Sequence, residues 1–388
     1  MNTSRLKFGK SIRSQWLLEE DVIFLNHGSY GATPRVVLEA QAEWRLRLEC
    51  QPVRFMRREL IPALRAAATE LAAFMGARGE DLVFVDNATT GINAVLRSLV
   101  LAPGDEVVAT DHTYGAVRKT LIFVCDRAGA QLVEAVLPFP GTDDAGIVDA
   151  VARTLSPKTR LVVLDHVTSP SALILPVERL VQLCRERGVP VLVDGAHALG
   201  MLPLALERIG ADWYVGNCHK WMCASKGCGF LWASPRVQSS THPTVISHGL
   251  GEGYLGEFDW TGTRDFSTWL SVTAALAFHR SLGPETVRTY NHELVVWARD
   301  LLAQSWGTEP CAPERLLGSM AVIRTDRPAQ EAEALHDYLW DRHRIEVPVI
   351  PLVGAAWIRI SAQVYNESEE YRQLAAAVNE YRLSECRK

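Results

Sequence analysis

The 388-residue chain has no run of eighteen apolar residues, so we do not expect a membrane-spanning helix. Its N-terminus, MNTSRLKFGKSIRSQW, lacks the hydrophobic core of a secretory signal peptide. The net charge of −5 provides no electrostatic reason to bind nucleic acid or an anionic membrane. We therefore expect a soluble, cytoplasmic protein that binds neither nucleic acid nor membrane.

Cysteine is present, but not in the pattern of a disulfide framework or a zinc site. Eight cysteines in a chain of this length are too few and too scattered for a disulfide scaffold. Cys218, Cys223 and Cys228 are close together, yet no CxxC or histidine pair completes a zinc-ligand spacing. We expect buried thiols and no metal.

Short apolar runs alternate with helical patterns through the first two thirds of the chain. The apolar runs predict strands at residues 82–85, 106–110, 131–136, 160–165, 190–194, 212–216 and 229–232. The helical patterns between them cover residues 89–100, 114–128, 146–155 and 176–187. Strands separated by helices indicate βαβ units, which predicts an α/β fold with a mostly parallel sheet flanked by helices.

The two ends of the chain have a different pattern. A strand at 22–25 precedes helices at 34–50 and 62–75; Pro34 is predicted to start the first, and Pro62 to start or interrupt the second. The last third predicts helices at 266–282, 285–304, 329–340 and from Ser368, with strands at 320–324, 345–349 and 357–361. We predict an N-terminal segment (1–20), a large domain (21–275) and a smaller C-terminal α/β domain (276–388), with a linking helix at about 282–305.

Polar residues follow five consecutive strands of the predicted sheet, in DNATTG, ATDHTYG, DHVTSPS, DGAHALG and GNCHK. Ligands of such sheets bind at the carboxyl ends of the strands. In NATTG, at residues 87–91, small and hydroxyl side chains at a helix start suit a phosphate, although a plain N-cap by Asn87 or Thr89 explains them equally.

Lys220 and Asp194 are the two residues whose positions most clearly suit a catalytic role. Lys220 lies in a turn between two short strands, where desolvation lowers an amine pKa as Schiff-base chemistry requires. A surface lysine in a β-turn is the alternative. Asp194 ends a buried strand, where it suits the protonated nitrogen of a heteroaromatic ring or, alternatively, caps a helix.

Three further residues fit a site for a planar cofactor and an anionic substrate. His112 or Tyr114 could stack on a planar ring, although a core histidine is the commoner explanation for His112. Arg359 alternates with apolar neighbours in WIRIS. An inward arginine suits a substrate carboxylate, whereas one on an edge strand would simply face solvent.

Nine motifs, taken in order, are similar to those of one enzyme family. They are FLNHGSYGATP, PVRFMRRE, DNATTGIN, DHTYGA, HVTSPSALILPV, VDGAHALG, GNCHKW, KGCGFLW and WTGTRD. Together they resemble pyridoxal-phosphate enzymes of the class V branch of aspartate-aminotransferase fold type I. Within that branch the chain resembles the isopenicillin N epimerase-like and cysteine-conjugate C–S lyase-like group. The resemblance implies a seven-stranded, mostly parallel sheet and a homodimer with shared active sites.

The resemblance also implies roles for individual residues. Lys220 would form the Schiff base, Asp194 would pair with the pyridinium nitrogen, and Tyr114 is the candidate catalytic acid. The cofactor would further contact Ala88, Thr89, His112, Thr168, His197, Asn217, His219 and, from the other subunit, Thr263 or its neighbour Gly262. The substrate amino acid would contact Arg359, Asn26, Ser29 and the partner-derived Arg54.

The sequence is compatible with several reactions of this family. Desulfurases of the family need a nucleophilic cysteine on a loop before the carboxylate-binding arginine, and HRIEVPVIPLVG contains none. We favour C–S cleavage of an S-substituted L-cysteine in specialised metabolism, with epimerisation of an amino acid second and transamination less favoured. A cofactor-binding protein without catalysis is a further alternative, which the combination of Lys220, Asp194 and Arg359 disfavours.

Overall fold

The structure is a computed structural model that describes residues 8–385. Seven strands form its central sheet: β2 (Leu82–Val85), β3 (Glu106–Thr110), β4 (Gln131–Ala135), β5 (Thr159–Asp165), β6 (Val191–Asp194), β7 (Trp213–Asn217) and β8 (Gly229–Ala233). Their order across the sheet is β2-β8-β7-β6-β5-β3-β4. The pairs among β3 to β7 are parallel, whereas β8 is antiparallel to both of its neighbours. The predicted seven-stranded, mostly parallel sheet is confirmed.

Helices cover the sheet and supply most of the remaining structure. In chain order they are α1 (His27–Tyr30), α2 (Arg35–Cys50), α3 (Pro52–Arg54), α4 (Leu60–Phe74), α5 (Ala88–Ser98), α6 (Gly115–Ala128), α7 (Asp144–Thr154), α8 (Val177–Glu186), α9 (Leu206–Ile209), α10 (Gly253–Asp259), α11 (Ser267–Leu270), α12 (Val272–Leu282), α13 (Pro284–Trp306), α14 (Ala332–His343) and α15 (Ser368–Glu385). Within residues 8–385, no helix combines the length and the apolar character needed to cross a membrane.

Some helix boundaries differ from those predicted. Pro62 does not start a helix, because α4 begins at Leu60 directly after a π-helical turn at Phe55–Glu59. The helical turns run without a break from Pro52 to Phe74, so Pro62 interrupts a helix, and its missing N–H comes directly after the π-helical turn. The predicted helix 266–282 is two helices that meet at Ser271, and α10 was not predicted.

A second, smaller group of strands lies in the last third of the chain. Strands β11 (Val349–Leu352), β12 (Ala355–Ser361) and β9 (Met320–Pro328) form an antiparallel sheet with β12 in the centre. Strand β1 (Ile23–Phe24) pairs in parallel with β10 (Ile345–Glu346), so the predicted strand 345–349 is in fact parts of two strands. The early segment of the chain is therefore joined to the late one.

The predicted linking helix is present as α13 (Pro284–Trp306). One face of it packs, through Val295, Ala298 and Leu302, into a core shared with β9, β12 and α15. The three-part division of the chain stays a prediction. Residues 1–7 of its N-terminal segment and residues 386–388 of its C-terminal part lie outside the described residues.

Candidate active site

A cavity of about 480 Å³ lies where the parallel strands end. Nine of the residues predicted to form a site line it: Ser29, Ala88, Thr89, Tyr114, Asp194, His197, Asn217, His219 and Lys220. They come from separate parts of the sequence: helix α1, the start of α5 after β2, and the ends of β6 and β7 with the loops that follow them. The short connection after β3 contributes Tyr114 at the start of α6.

Lys220 lies in the turn between β7 and β8, and its amine faces the cavity. Its Nζ is 3.1 Å from Nε2 of His197. Burial and, to a smaller extent, the positive charge of Arg359 lower the pKa of Lys220 to about 7, although the charge of Asp194 opposes both effects. The backbone of the turn packs tightly, because a Cβ on Gly31 would lie 2.0 Å from the carbonyl oxygen of His219. The alternative of a solvated lysine in a surface turn is wrong.

His197 is the hydrogen-bond partner of the Lys220 amine. Burial and the nearby positive charges keep the pKa of His197 well below its usual value, so the imidazole is neutral. The indole Nε1–H of Trp221 donates to Nδ1 of His197 at 3.4 Å, which leaves the ring hydrogen on Nε2. That N–H can then donate to the lone pair of a neutral Lys220 amine.

We expect the uptake of pyridoxal phosphate by the apoprotein to accelerate as pH rises through about 7, the pKa of Lys220. Only the neutral amine attacks an aldehyde, so the rate follows the unprotonated fraction of Lys220. Stopped-flow absorbance at a series of pH values measures this rate. A profile that continues to rise towards the ordinary lysine pKa of 10.5 would contradict the burial of the amine.

Asp194 lies beside a second buried carboxyl group, that of Asp165. The two residues are register partners on the adjacent parallel strands β5 and β6, and both are buried. Asp194 accepts a hydrogen bond from the backbone N–H of Ala196 at 2.9 Å, and no helix starts there, so the helix-cap alternative is wrong. Burial raises the pKa of Asp194, while the Ala196 N–H and the Lys220 charge oppose this.

Asp165 is more strongly perturbed than its partner. Burial and the charge of Asp194 raise the pKa of Asp165 well above its usual range, which keeps the carboxyl neutral. Hydrogen bonds from Thr113 and from the backbone of Tyr114 oppose this rise. Asp165 lines the cavity, and its buried Oδ2 has no hydrogen-bond partner among residues 8–385.

The start of helix α5 forms the other end of the cavity. Asn87 caps the helix by accepting from the N–H of Thr90 at 3.0 Å, so the plain N-cap explanation holds for Asn87. The N–H of Ala88 donates to Oδ1 of Asn217 at 2.9 Å and is therefore already bonded within the chain. Thr89 lines the cavity in the first helical turn, where the helix dipole favours an anion.

His219 lines the same end of the cavity. Its Nδ1 lies 3.2 Å from the carbonyl oxygen of Cys228, so the ring carries its hydrogen on that nitrogen when neutral. Burial lowers its pKa to about 4. Cysteine thiols at 218, 223 and 228 are buried and do not line the cavity.

Arg359 lies behind two serines of the cavity wall, on the central strand β12. Its Nη1 donates to the carbonyl oxygen of Ser169 at 2.6 Å and to its hydroxyl at 3.1 Å, and its Nη2 donates to Ser29 Oγ at 3.0 Å. The residue is 5% exposed, so the solvent-facing edge-strand alternative is wrong. Burial lowers its pKa to about 10, and Tyr114 opposes this.

The Arg359 guanidinium forms no salt bridge to a carboxylate within residues 8–385, and its Nε has no hydrogen-bond partner there. A buried cation without an anionic partner is costly. The site is therefore suited to an anion from outside the chain.

His112 and Tyr114 occupy different environments. His112 is 3% exposed, lies outside the lining of the cavity, and its Nδ1 is 2.6 Å from the hydroxyl of Ser171. That hydroxyl is 2.7 Å from Thr168 Oγ1, so Thr168 is likewise turned to Ser171. Tyr114 lines the cavity and is 45% exposed. Which of the two rings stacks on a cofactor stays a prediction.

Three further predicted residues do not line this cavity. Arg54 is exposed and pairs with Glu59 at 2.9 Å, and Thr263 lies in the loop after α10 with Gly262. Both positions were predicted to act on the partner subunit. Asn26 is buried behind Ser29 and bonds to it, so it supports the cavity wall from outside.

Several cavity residues were not among those predicted, and Asp165 and Ser169 are the two polar ones that matter most here. Asp165 was seen only as the last residue of a strand, and its pairing with Asp194 depends on the register of β5 and β6. Ser169 lies in HVTSPS without a chemical signature of its own. The signal that was available is the position of both residues at a strand end that already looked polar.

The model of the family "Aminotransferase class-V" matches residues 23–374. The chain belongs to this family. It is 35% identical to an isopenicillin N epimerase of Streptomyces clavuligerus, over 95% of this chain and 96% of the relative. It is 33% identical to a probable L-cysteine desulfhydrase, chloroplastic, of Arabidopsis thaliana, over 93% of this chain and 83% of the relative.

A solved structure of the cystine C–S lyase C-DES in complex with its reaction product, cysteine persulfide, has a similar fold. The TM-score is 0.79 at 25% sequence identity, with 92% of this chain and 97% of that chain covered. The fold is that of type I pyridoxal-phosphate enzymes, as predicted. This class V protein is an enzyme, and its cofactor is pyridoxal phosphate.

The residues of the cavity fit this cofactor. Lys220 offers an amine with a lowered pKa, and the buried Asp194 suits a cationic ring nitrogen, whose charge would favour the ionised carboxylate. Thr89 lies in the first turn of α5, where a phosphate is favoured. The cavity of this class V enzyme thus combines a buried amine, a buried carboxyl group and a helix start that suits an anion.

Proposed function

We propose that this class V enzyme cleaves the C–S bond of an S-substituted L-cysteine by β-elimination, and that epimerisation of an amino acid is the second candidate. The main support is the cavity, which is lined by the Lys220 amine and the Tyr114 ring and has Arg359 directly behind its wall. No cysteine thiol of residues 8–385 lines this cavity. A persulfide-forming desulfurase needs such a thiol, which disfavours that reaction.

Arg359 would bind the α-carboxylate of the substrate. Its unpartnered Nε and the absence of a paired carboxylate within the described chain leave it free to accept an anion. A guanidinium matches a carboxylate with two parallel hydrogen bonds, which would orient the amino acid as well as hold it. Ser29 and Ser169 would keep the guanidinium plane in place.

Lys220 would act as the base at Cα of the bound substrate. Pyridoxal phosphate supplies the electron sink that makes the Cα proton acidic. A pKa of about 7 lets the amine accept a proton and release it again near neutral pH. His197, 3.1 Å away, would steady the neutral amine, and Asp194 would hold a proton on the ring nitrogen.

Tyr114 would donate a proton to the departing sulfur. It lines the cavity close enough to Arg359 for their charges to interact. A lyase needs this acid and a good leaving group, whereas an epimerase needs an acid on the face of Cα opposite Lys220. The relatives include both kinds of enzyme at similar identity, so they support either reaction.

We also propose a homodimer in which Arg54 and Thr263 approach the partner's cavity. Exposed apolar side chains lie near the cavity mouth and in the loop before α10: Tyr30 is 75% exposed, Ile246 54% and Leu250 60%. Burial of these side chains in an interface would be favourable. Cytoplasmic location and a role in specialised metabolism stay predictions.

Incubation of the holoenzyme with S-substituted L-cysteines in heavy water tests the reaction. Pyruvate with a free thiol is the expected result and identifies a lyase. An α-deuterated D-amino acid would establish the epimerase instead, and consumption of an added keto acid would establish a transaminase. None of the three products from any S-substituted cysteine would contradict the proposed substrate class.

Replacement of Arg359 by alanine should raise KM for the amino-acid substrate by about 30- to 100-fold, because a charge-assisted bidentate contact is lost. The visible absorbance of the bound cofactor should remain, since Arg359 does not hold the cofactor. Arg324, an exposed arginine on the neighbouring strand β9, provides the matched control. Arg324→Ala should leave KM unchanged, and loss of the absorbance band in Arg359→Ala would contradict the assignment.

A further inference from the structure

A chain of hydrogen bonds leads from Arg359 away from the cavity to a carboxylate. Nη2 of Arg359 donates to Ser29 Oγ at 3.0 Å. The Ser29 hydroxyl donates to Oδ1 of Asn26 at 2.5 Å. The amide Nδ2 of Asn26 in turn donates to Oε1 of Glu346 at 2.7 Å. Glu346 is thus connected to the guanidinium through two intermediate side chains.

The donors of this chain all point in the same direction. Asn26 presents its oxygen to Ser29, so its amide hydrogens face the Glu346 carboxylate. Because Ser29 donates its hydroxyl hydrogen to Asn26, its oxygen can only accept a hydrogen bond from Arg359. A carboxylate at the far end favours this polarity, because it accepts hydrogen bonds and cannot donate them.

The backbone fixes both ends of the chain relative to each other. Leu25 donates its N–H to the carbonyl oxygen of Glu346 at 2.9 Å and accepts at its own carbonyl from the N–H of Ser361 at 2.9 Å. The early segment therefore runs between β10, which carries Glu346, and β12, which carries Arg359. Asn26 and Ser29 follow directly and fill the gap between the two charged side chains.

This arrangement separates the guanidinium from its counter-charge. A carboxylate in direct contact with Arg359 would occupy the donors that a substrate carboxylate needs. Glu346 instead lies three hydrogen bonds away, and the structure shows no closer carboxylate bonded to Arg359 within residues 8–385. The guanidinium is oriented on one side by Ser29 and on the other by Ser169, and keeps its Nε unpaired.

We propose that Glu346 is a positioning residue for the substrate carboxylate: acting through Asn26 and Ser29, it orients Arg359 and so sets the preference for ligands with a free α-carboxylate. The inference rests on the proposed role of Arg359 in substrate binding. Glu346, which lies outside the cavity on β10, would thus be a further determinant of substrate specificity.

Titration of the holoenzyme with S-methyl-L-cysteine and with its carboxamide tests this proposal. The dissociation constants, read from the visible absorbance, define the preference for the carboxylate. Glu346→Ala should weaken binding of the acid by about tenfold and that of the amide by less than about twofold. Glu346→Gln keeps an acceptor for Asn26 but loses the charge, and should weaken binding of the acid by about threefold.

Glu19→Gln is the matched control, because Glu19 forms an exposed ion pair with Arg344 beside the same strand. It should leave both constants unchanged. An unaltered carboxylate preference in Glu346→Ala, together with its loss in Arg359→Ala, would overturn the role of Glu346 alone. Retention of the preference in Arg359→Ala would instead refute the proposed function of Arg359.

If circular dichroism shows that Glu346→Ala does not fold, two milder variants, Ser29→Ala and Glu346→Gln, test the proposal instead. Ser29→Ala removes the acceptor for Nη2 without touching β10. Weaker binding of the acid in both Ser29→Ala and Glu346→Gln supports the chain of hydrogen bonds. Wild-type carboxylate preference in both variants would overturn it.

Discussion

Replacement of Lys220 by alanine should abolish turnover, with a fall in kcat of about 10³-fold or more, because the variant loses both the covalent nucleophile and the base at Cα. The visible absorbance of the lysine-linked cofactor should disappear at the same time. Absorbance spectra and a single-turnover assay, recorded on protein reconstituted with pyridoxal phosphate, measure the two effects.

Lys226 provides the matched control for this experiment. It is a second lysine in the same turn, exposed at the surface, and its Nζ donates to Thr33 Oγ1 at 3.1 Å. Partial desolvation of the amine lowers the pKa of Lys226 as well. Lys226→Met should keep the absorbance band. A wild-type protein without the band, or a Lys220→Ala protein that retains it, would refute the assignment of Lys220.

Replacement of Asp194 by asparagine should lower kcat by about 10²- to 10³-fold, because an opposite charge close to a titrating group shifts its pKa by about one to three units. Asparagine has the same shape but cannot hold a proton on the cofactor nitrogen by charge. The amplitude of the cofactor absorbance after gel filtration and kcat at saturating substrate report retention and catalysis separately.

Asp165→Asn distinguishes charge from packing at the same place. Because its raised pKa keeps Asp165 neutral, this change exchanges one neutral group for another on the strand next to Asp194. We expect kcat to fall by less than about tenfold, since the charge at Asp194 is untouched. Equal losses in the two variants would show that the pair acts as packing and that the charge of Asp194 is not the important property.

Much of the fold could be predicted from the sequence. Alternating apolar runs and helical patterns depend on local burial, so the strands around Val85, Thr110 and Asp194 were predicted within a few residues. The prediction was poorest where local chemistry is ambiguous. Pro62 lies inside a continuous run of helical turns although proline often marks a helix start, and residues 345–352 contain two short strands that share one apolar run.

The candidate site divides in the same way. Lys220, Asp194 and the start of α5 were found because strand ends of parallel sheets collect ligand-binding residues, a rule that can be applied to sequence alone. The roles assigned to them stay predictions. His112 shows the limit of that rule: it follows a strand end, yet its side chain turns to Ser171 and lies outside the cavity lining.

The sequence alone thus determined the class of fold, the order of its strands along the chain and the lysine on which the chemistry would depend. Only the tertiary structure decided that Asp165 pairs with Asp194, that Arg359 is buried without a carboxylate partner, and that Glu346 reaches it through Asn26 and Ser29. The reason is physical: periodicity records whether a residue is buried, whereas strand register and sheet order bring together residues hundreds of positions apart.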